Sequence, residues 1–253
     1  MTEKLKTTLR FLADKYETAD FLKNDPAQFM HKYATNRDKE TAAFIAANLA
    51  FGKREQILSH VDAILTNAAP SPSKWICEEK FLSFFPEDEK SFYRIFTNRD
   101  LRIFCQTLKK ILDEFETLGD FFKEKRKQSD KKHLFQTVAD FFPKNCALIP
   151  HSAQTAAKKL NMLLRWLVRQ NSPVDIGTWN WANANELLIP LDTHVMRQAT
   201  NFGLISENAK SANLSVAENL TKKLEEAFPL DPVRGDFALF GLGVNKYNLE
   251  IAL

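Results

Sequence analysis

Cysteine is rare in this chain and scattered: Cys77, Cys105 and Cys146 are far apart and form no C-x-x-C pair. That spacing gives neither a disulfide framework nor the ligand pattern of a zinc or iron–sulfur site, so no metal and no cofactor are expected and a reducing compartment fits best. A long apolar run is missing too. The longest, Ala42 to Phe51, is interrupted by Asn48 and falls well short of the roughly 20 residues a membrane helix needs. The opening Met-Thr-Glu-Lys-Leu-Lys carries both charge signs and leads into no apolar signal core, which predicts a soluble, cytoplasmic protein without membrane contact. No charge sign dominates, because 35 Lys and Arg face 32 Asp and Glu for a net charge of +3. That balance is compatible with nucleic acid but does not require it.

Glycine is also scarce, with seven in 253 residues against 21 phenylalanines. Together with long runs at helical spacing, this predicts an all-α fold with no convincing strand pair. Leu5, Leu9 and Leu12 recur at steps of four and three in a first helix, and Asp25-Pro26 reads as N-cap and first residue of another. Ala42 to Phe51 is apolar on nearly every side, the mark of a buried central helix, with Gly52 ending it before Arg54 to Thr66 continue. Ala69 to Ser73 is a loop by composition. Trp75 to Phe84, Phe92 to Phe96, Asp100 to Phe115 and Lys131 to Phe142 each put apolar residues on one face, as the helices of a bundle do. The basic stretch Lys123 to Lys127 with Lys131, Lys132 and His133 reads as a solvated helix end. No repeat or low-complexity tail is visible. The expected architecture is a single unit, 1–253, of two helical lobes with a cleft between them: 40–150, and 1–39 plus 151–253.

Two segments carry the chemistry. In the helix holding Lys158 and Lys159, at about 100° per residue, Leu160, Leu163, Leu164, Leu167 and Val168 share one side, while Lys158, Arg165 and Arg169 share the other. The stripe reads either as a solvated basic face or as a nucleophilic amine among cations, with Lys159 pointing toward the side of Trp166. Downstream, Asp192 precedes Thr-His-Val-Met-Arg, where a carboxylate caps a helix by accepting its free amides. The same amides fix its rotamer and suit it to act as a base or to stabilise developing positive charge. An amine and a carboxylate from two helices are the minimal parts of an imine-forming site. His194 has no second histidine at ligand spacing, and His31, His60, His133 and His151 are scattered, so no metal site is read here.

The run from Ala156 to Leu204, with its lysine helix, Ile-Pro-Leu-Asp-Thr-His-Val and Ala-Thr-Asn-Phe-Gly-Leu, resembles the helix-hairpin-helix DNA glycosylase superfamily. Lys158 and Asp192 lie 34 positions apart, a separation more similar to that of archaeal 8-oxoguanine glycosylases than to endonuclease III. The whole chain also resembles a bacterial family of helical proteins, through Asp25-Pro26, Phe51-Gly52-Lys53-Arg54, Lys158 to Met162, Arg165-Trp166 and Asp236 to Gly241. The resemblance implies a two-lobed glycosylase fold acting as a monomer on double-stranded DNA with a damaged base. It makes Lys158 the imine-forming nucleophile, with Lys159 as the alternate, and Asp192 the catalytic acid. Asp236 would hold and Phe240 would stack on the extruded base, the two lying one helical turn apart. Lys53, Arg54, Arg165 and Arg169 would meet DNA. The implied reaction is excision of a damaged purine such as 8-oxoguanine, with β-elimination as a possible second step. Two departures stand out: Gly52 occupies the place of a gap-filling glutamine, and Ser152 to Ala156 replaces the glycine-rich hairpin that binds a DNA phosphate. They keep open a non-catalytic nucleic-acid binder on the same scaffold and, third, a helical interaction protein.

Overall fold

The computed structural model describes residues 1–209 and 211–245, and these are predominantly helical. The chain divides into two compact units, Met1–Phe21 with Ser152–Leu253, and Leu22–His151. Residues 22–39, expected in the lobe of the lysine helix, belong instead to the second unit. The physical reason is the short 3-10 helix Pro26–Lys32, which buries Ala27, Phe29 and Met30 and packs against the central helix of that unit. The end of the expected 151–253 lobe, residues 246–253, lies outside the described residues.

In chain order, α1 spans Glu3–Tyr16 and buries Leu9 and Leu12, with Leu5 at the margin. Asp25 caps the 3-10 helix by accepting from the Ala27 amide at 2.9 Å, with Pro26 at its first position. The central helix α2 (Asn36–Leu49) is buried from Glu40 to its end. The chain then leaves it through Gly52, whose φ of 103° only glycine adopts readily. After that come α3 (Arg54–Asn67), α4 (Pro72–Cys77) and α5 (Phe81–Phe84). The single helix expected over Trp75 to Phe84 is divided at Glu79, which takes a φ of 57°.

The expected absence of strands is corrected by a hairpin, β1 (Ser91–Tyr93) and β2 (Phe96–Thr97), which also replaces the helix expected over Phe92 to Phe96. Arg94, at a φ of 56°, makes a turn with Ile95 and sets Tyr93 opposite Phe96, both buried. The unit finishes with α6 (Asn98–Leu112), α7 (Leu118–Gln128) and α8 (Leu134–Phe141). Its core is aromatic: Phe44 of α2 stacks on Phe122 of α7 at 5.9 Å, and Phe104 of α6 stacks on Phe142 at 5.6 Å. Polar side chains of α2 complete neighbouring helix ends. Glu40 accepts from the Gly119 amide in the first turn of α7 at 2.8 Å, and Arg37 donates to the Phe115 carbonyl just beyond α6 at 2.7 Å. Each places its charge where the helix dipole favours it.

The other unit continues with α9 (Lys158–Val168), α10 (Thr193–Asn201), α11 (Leu214–Leu224) and α12 (Gly235–Asn245). The last of these packs against both α1 and α10. The approach of α1 depends on Gly241, where a methyl group would come within 2.7 Å of the Tyr16 Cβ and fall on its ring. Gly241→Ala is therefore expected to destabilise the protein by about 1–3 kcal/mol, the usual cost of overpacking, measured as a lower urea midpoint with an unchanged m-value.

Candidate functional site

Lys158 is the first residue of α9, and no side chain caps that end of the helix. The chain enters through Thr155, whose Oγ1 accepts from the Ala157 amide at 3.0 Å, and through Ala157 itself at a φ of 43°. Two lysines at the positive end of a helix oppose its dipole by about 0.3–1 kcal/mol each. Lys158 and Lys159 are both half-buried. Asp192 caps α10 as its sequence position predicts, with Oδ1 accepting from the His194 amide at 2.8 Å and the Val195 amide at 2.9 Å. Those two bonds fix the carboxylate while leaving it partly exposed.

Arg165 and Arg169 do not form a phosphate-binding stripe. Both are buried, at 2% and 3% exposure, and both are engaged by carboxylates. Arg165 donates through Nε to Asp175 at 3.2 Å and through Nη1 to Asp236. Arg169 donates through Nη1 to Asp175, through Nε to both oxygens of Asp231 at 2.9 Å, and pairs with Glu17 at 2.8 Å. Arg234 closes the chain of charges by donating to Glu17 at 2.7 Å and Asp14 at 2.6 Å. Both buried guanidinium groups also lie over the Phe237 ring, Arg165 at 4.2 Å and Arg169 at 5.3 Å. Angular position placed the two arginines on one face correctly but could not say that the face meets carboxylates. Glu17, Asp175, Asp231 and Arg234 were missed; the available signal was an arginine pair one turn apart flanking the apolar run Trp166 to Val168.

This network sets the protonation of its members. Burial works against the charge on Arg169, but its hydrogen bond to Asp231 and the charges of Asp175, Asp231 and Glu17 outweigh that and raise its pKa. Burial raises Asp175 above the usual carboxylate range despite both arginines. Asp236 is pushed up to about 7, first by burial and then by the negative charges of Asp192 and Asp175, while Arg165 and Lys158 pull the other way. Lys158, Asp192 and Asp236, from α9, α10 and α12, thus share one electrostatic neighbourhood. Lys159 is not among the strongest influences on Asp236.

Phe240, one turn beyond Asp236, is half-buried, with edge contacts to Phe21 at 6.2 Å and His194 at 5.9 Å. Phe237, Leu239 and Leu242 are core.

Lys53 and Arg54 belong to the Leu22–His151 unit, exposed at the start of α3. The hairpin adds a residue that sequence reading missed, Arg94. Its guanidinium packs on the Phe51 ring at 5.0 Å, and its Nη1 lies 2.8 Å from where a Gly52 side chain would begin. The Tyr93 hydroxyl donates to the Phe51 carbonyl at 2.6 Å and ties the hairpin to the α2–α3 turn. Beside Arg94 stands Ile95, 73% exposed. Arg94 thus lies against the Phe51-Gly52 turn that leads into the exposed Lys53 and Arg54.

The described residues thus define a predominantly helical protein in which α9 meets α12 through Arg165 and Asp236 and α12 packs against α10. The chain belongs to the family described as Protein of unknown function (DUF2400), whose model matches residues 25–245. No curated protein and no solved structure matches it. Among the described residues no helix is long and apolar enough to cross a membrane.

The position of Asp236 makes stability depend on pH. A carboxyl held at about 7 in the folded chain, against an ordinary 3.8, contributes stability that is complete below 3.8 and lost as pH rises through 7. Asp236→Asn should flatten this dependence. The unfolding free energy of the native sequence relative to the variant should fall across that window by up to about 1.4 kcal/mol per pH unit, as read by urea denaturation at a series of pH values.

Proposed function

We propose that this protein is a DNA glycosylase with associated abasic-site lyase activity, acting as a cytoplasmic monomer on duplex DNA that carries a damaged purine such as 8-oxoguanine. The observation that carries the reading is the meeting of α9, α10 and α12, where Arg165 of α9 bonds Asp236 of α12, α12 packs against the helix that Asp192 caps, and the charges of Lys158 and Asp192 both act on Asp236. The resemblance of the Asp192 segment to the glycosylase superfamily supplies the reaction class. The free thiols of Cys77, Cys105 and Cys146 fit a reducing compartment.

In this mechanism a purine is rotated out of the duplex, its edge meeting Asp236 and its face Phe240. As the N-glycosidic bond breaks, Asp192, pinned by the α10 amides, stabilises the positive charge developing on the sugar. The Lys158 amine forms a bond to C1′ through its nitrogen lone pair, and the purine departs with the bonding electron pair and a proton. Loss of the amine proton and opening of the C1′–O4′ bond with protonation of O4′ give the imine. Removal of a C2′ proton then allows β-elimination of the 3′ phosphate. With Arg165 and Arg169 engaged by carboxylates, the DNA contacts fall to Lys53, Arg54 and the hairpin residue Arg94, and Ile95 is suited to contact bases.

Borohydride trapping on duplexes containing 8-oxoguanine, uracil or an abasic site tests the reading. The native protein should give a covalent adduct that Lys158→Ala abolishes and Lys159→Ala retains. Asp192→Asn, which keeps the cap, should leave the fold intact and slow adduct formation by about 10²–10⁴-fold. DNA binding without an adduct on any lesion would favour a non-catalytic binder on this scaffold. Absence of binding at low salt would remove both readings.

A further inference from the structure

We infer that Arg165 is a positioning residue: anchored on Asp175 through Nε, it directs Nη1 at Asp236 and fixes the orientation of the carboxylate that serves with Lys158 and Asp192. The inference rests on the membership of Asp236 in the proposed site. Arg165 lies seven positions, close to two full turns, beyond Lys158, so one face of α9 carries both the amine and the guanidinium.

The guanidinium has little freedom. It is buried, lies over Phe237, and holds Asp175 at one edge and Asp236 at the other. Asp175 is in turn held by Arg169, and Arg169 by Asp231 and Glu17. A planar fork that cannot lose its proton suits this task, because it keeps both geometry and charge while its carboxylate partners titrate.

Asp236 stands apart from the other carboxylates of the cluster. Among the described residues, two buried guanidiniums, Arg165 and Arg169, are shared by three buried carboxylates, those of Glu17, Asp175 and Asp236. Asp175 bridges the two arginines and Glu17 pairs with Arg169 and Arg234, whereas Asp236 meets Arg165. A cluster built only for stability gains little over apolar packing, and Asp236 is the member on which Lys158 and Asp192 also act. The charged groups acting on Asp236 are Lys158 and Arg165 of α9, Asp175 of the following segment and Asp192 of α10, with Glu17, Asp231, Arg234 and Asp14 further along the relay.

The test is a carbon-13 NMR titration of the Asp236 carboxyl, assigned by its loss in Asp236→Asn, with adduct formation on an abasic-site duplex followed against pH in the same preparations. In the native chain the midpoint should lie at about 7. In Arg165→Met it should rise by about 1–3 pH units, the usual effect of one adjacent opposite charge. Arg165→Lys should give a smaller rise, and the pH profile of adduct formation should move with the midpoint. If Arg165→Met fails to fold, Arg165→Lys decides. A midpoint unchanged within a few tenths in a folded Arg165 variant would overturn the inference, and so would failure of both Arg165 variants to fold while Asp236→Asn folds. Absence of an adduct from the native protein, with the midpoint still following Arg165, would instead sink the glycosylase reading and leave the charge coupling as measured.

Discussion

The charge chain running through Arg165 and Arg169 constrains everything else in the unit that carries the lysine helix. It ties α9 to the segment containing Asp175, to α12 through Asp236, to the end of α1 through Glu17 and to the turn before α12 through Asp231. These groups leave water at a cost of several kcal/mol per ion, recovered only when geometry and hydrogen bonding are close to complete. That demand fixes the rotation of α9 about its axis. With Arg165 and Arg169 turned inward, Lys158 is carried to the same edge, and the apolar residues Leu160, Leu163, Leu164 and Leu167 remain for the rest of the core.

Asp192 shows how one side chain serves two requirements. Its Oδ1 is committed to the first amides of α10, which costs the residue its freedom but not its charge, and the charge is still felt at Asp236. Capping and chemistry therefore reinforce one another: the bonds that stabilise the helix also hold the carboxylate in one orientation.

Features set by local chemistry were legible in the sequence. The Asp25-Pro26 cap, the buried run from Ala42 to Leu49 in α2 and the Asp192 cap each depend on residues within a few positions, and each appears in the structure. The break between α4 and α5 was not legible, because a left-handed glutamate at position 79 carries no signal that glycine would have given. The hairpin was hidden for the same reason: its turn is Arg94-Ile95, with Arg94 in the positive-φ region. For Arg165 and Arg169 the periodicity was right and its meaning was wrong. A helical face can be computed from spacing, but whether it meets solvent, phosphate or three aspartates depends on segments more than sixty residues away in the case of Asp231 and Asp236. Asp236 was recognised as unusual because an acid among Phe237, Leu239 and Phe240 demands a partner, and the partner proved to be one of the arginines assigned to DNA.

The pairing of α1 with α12 also has a consequence for biosynthesis. The Leu22–His151 unit is continuous in sequence, so every contact internal to it becomes available once residue 151 has left the ribosome. Helix α1, by contrast, has its main partner more than two hundred residues further along the chain, Gly235–Asn245. Leu9 and Leu12 must wait through the synthesis of some two hundred residues before that surface exists, and Glu17 waits 217 residues for Arg234. Between the synthesis of α1 and that of α12 the nascent chain therefore carries an amphipathic helix without its main partner, open to chaperones and proteases during that interval.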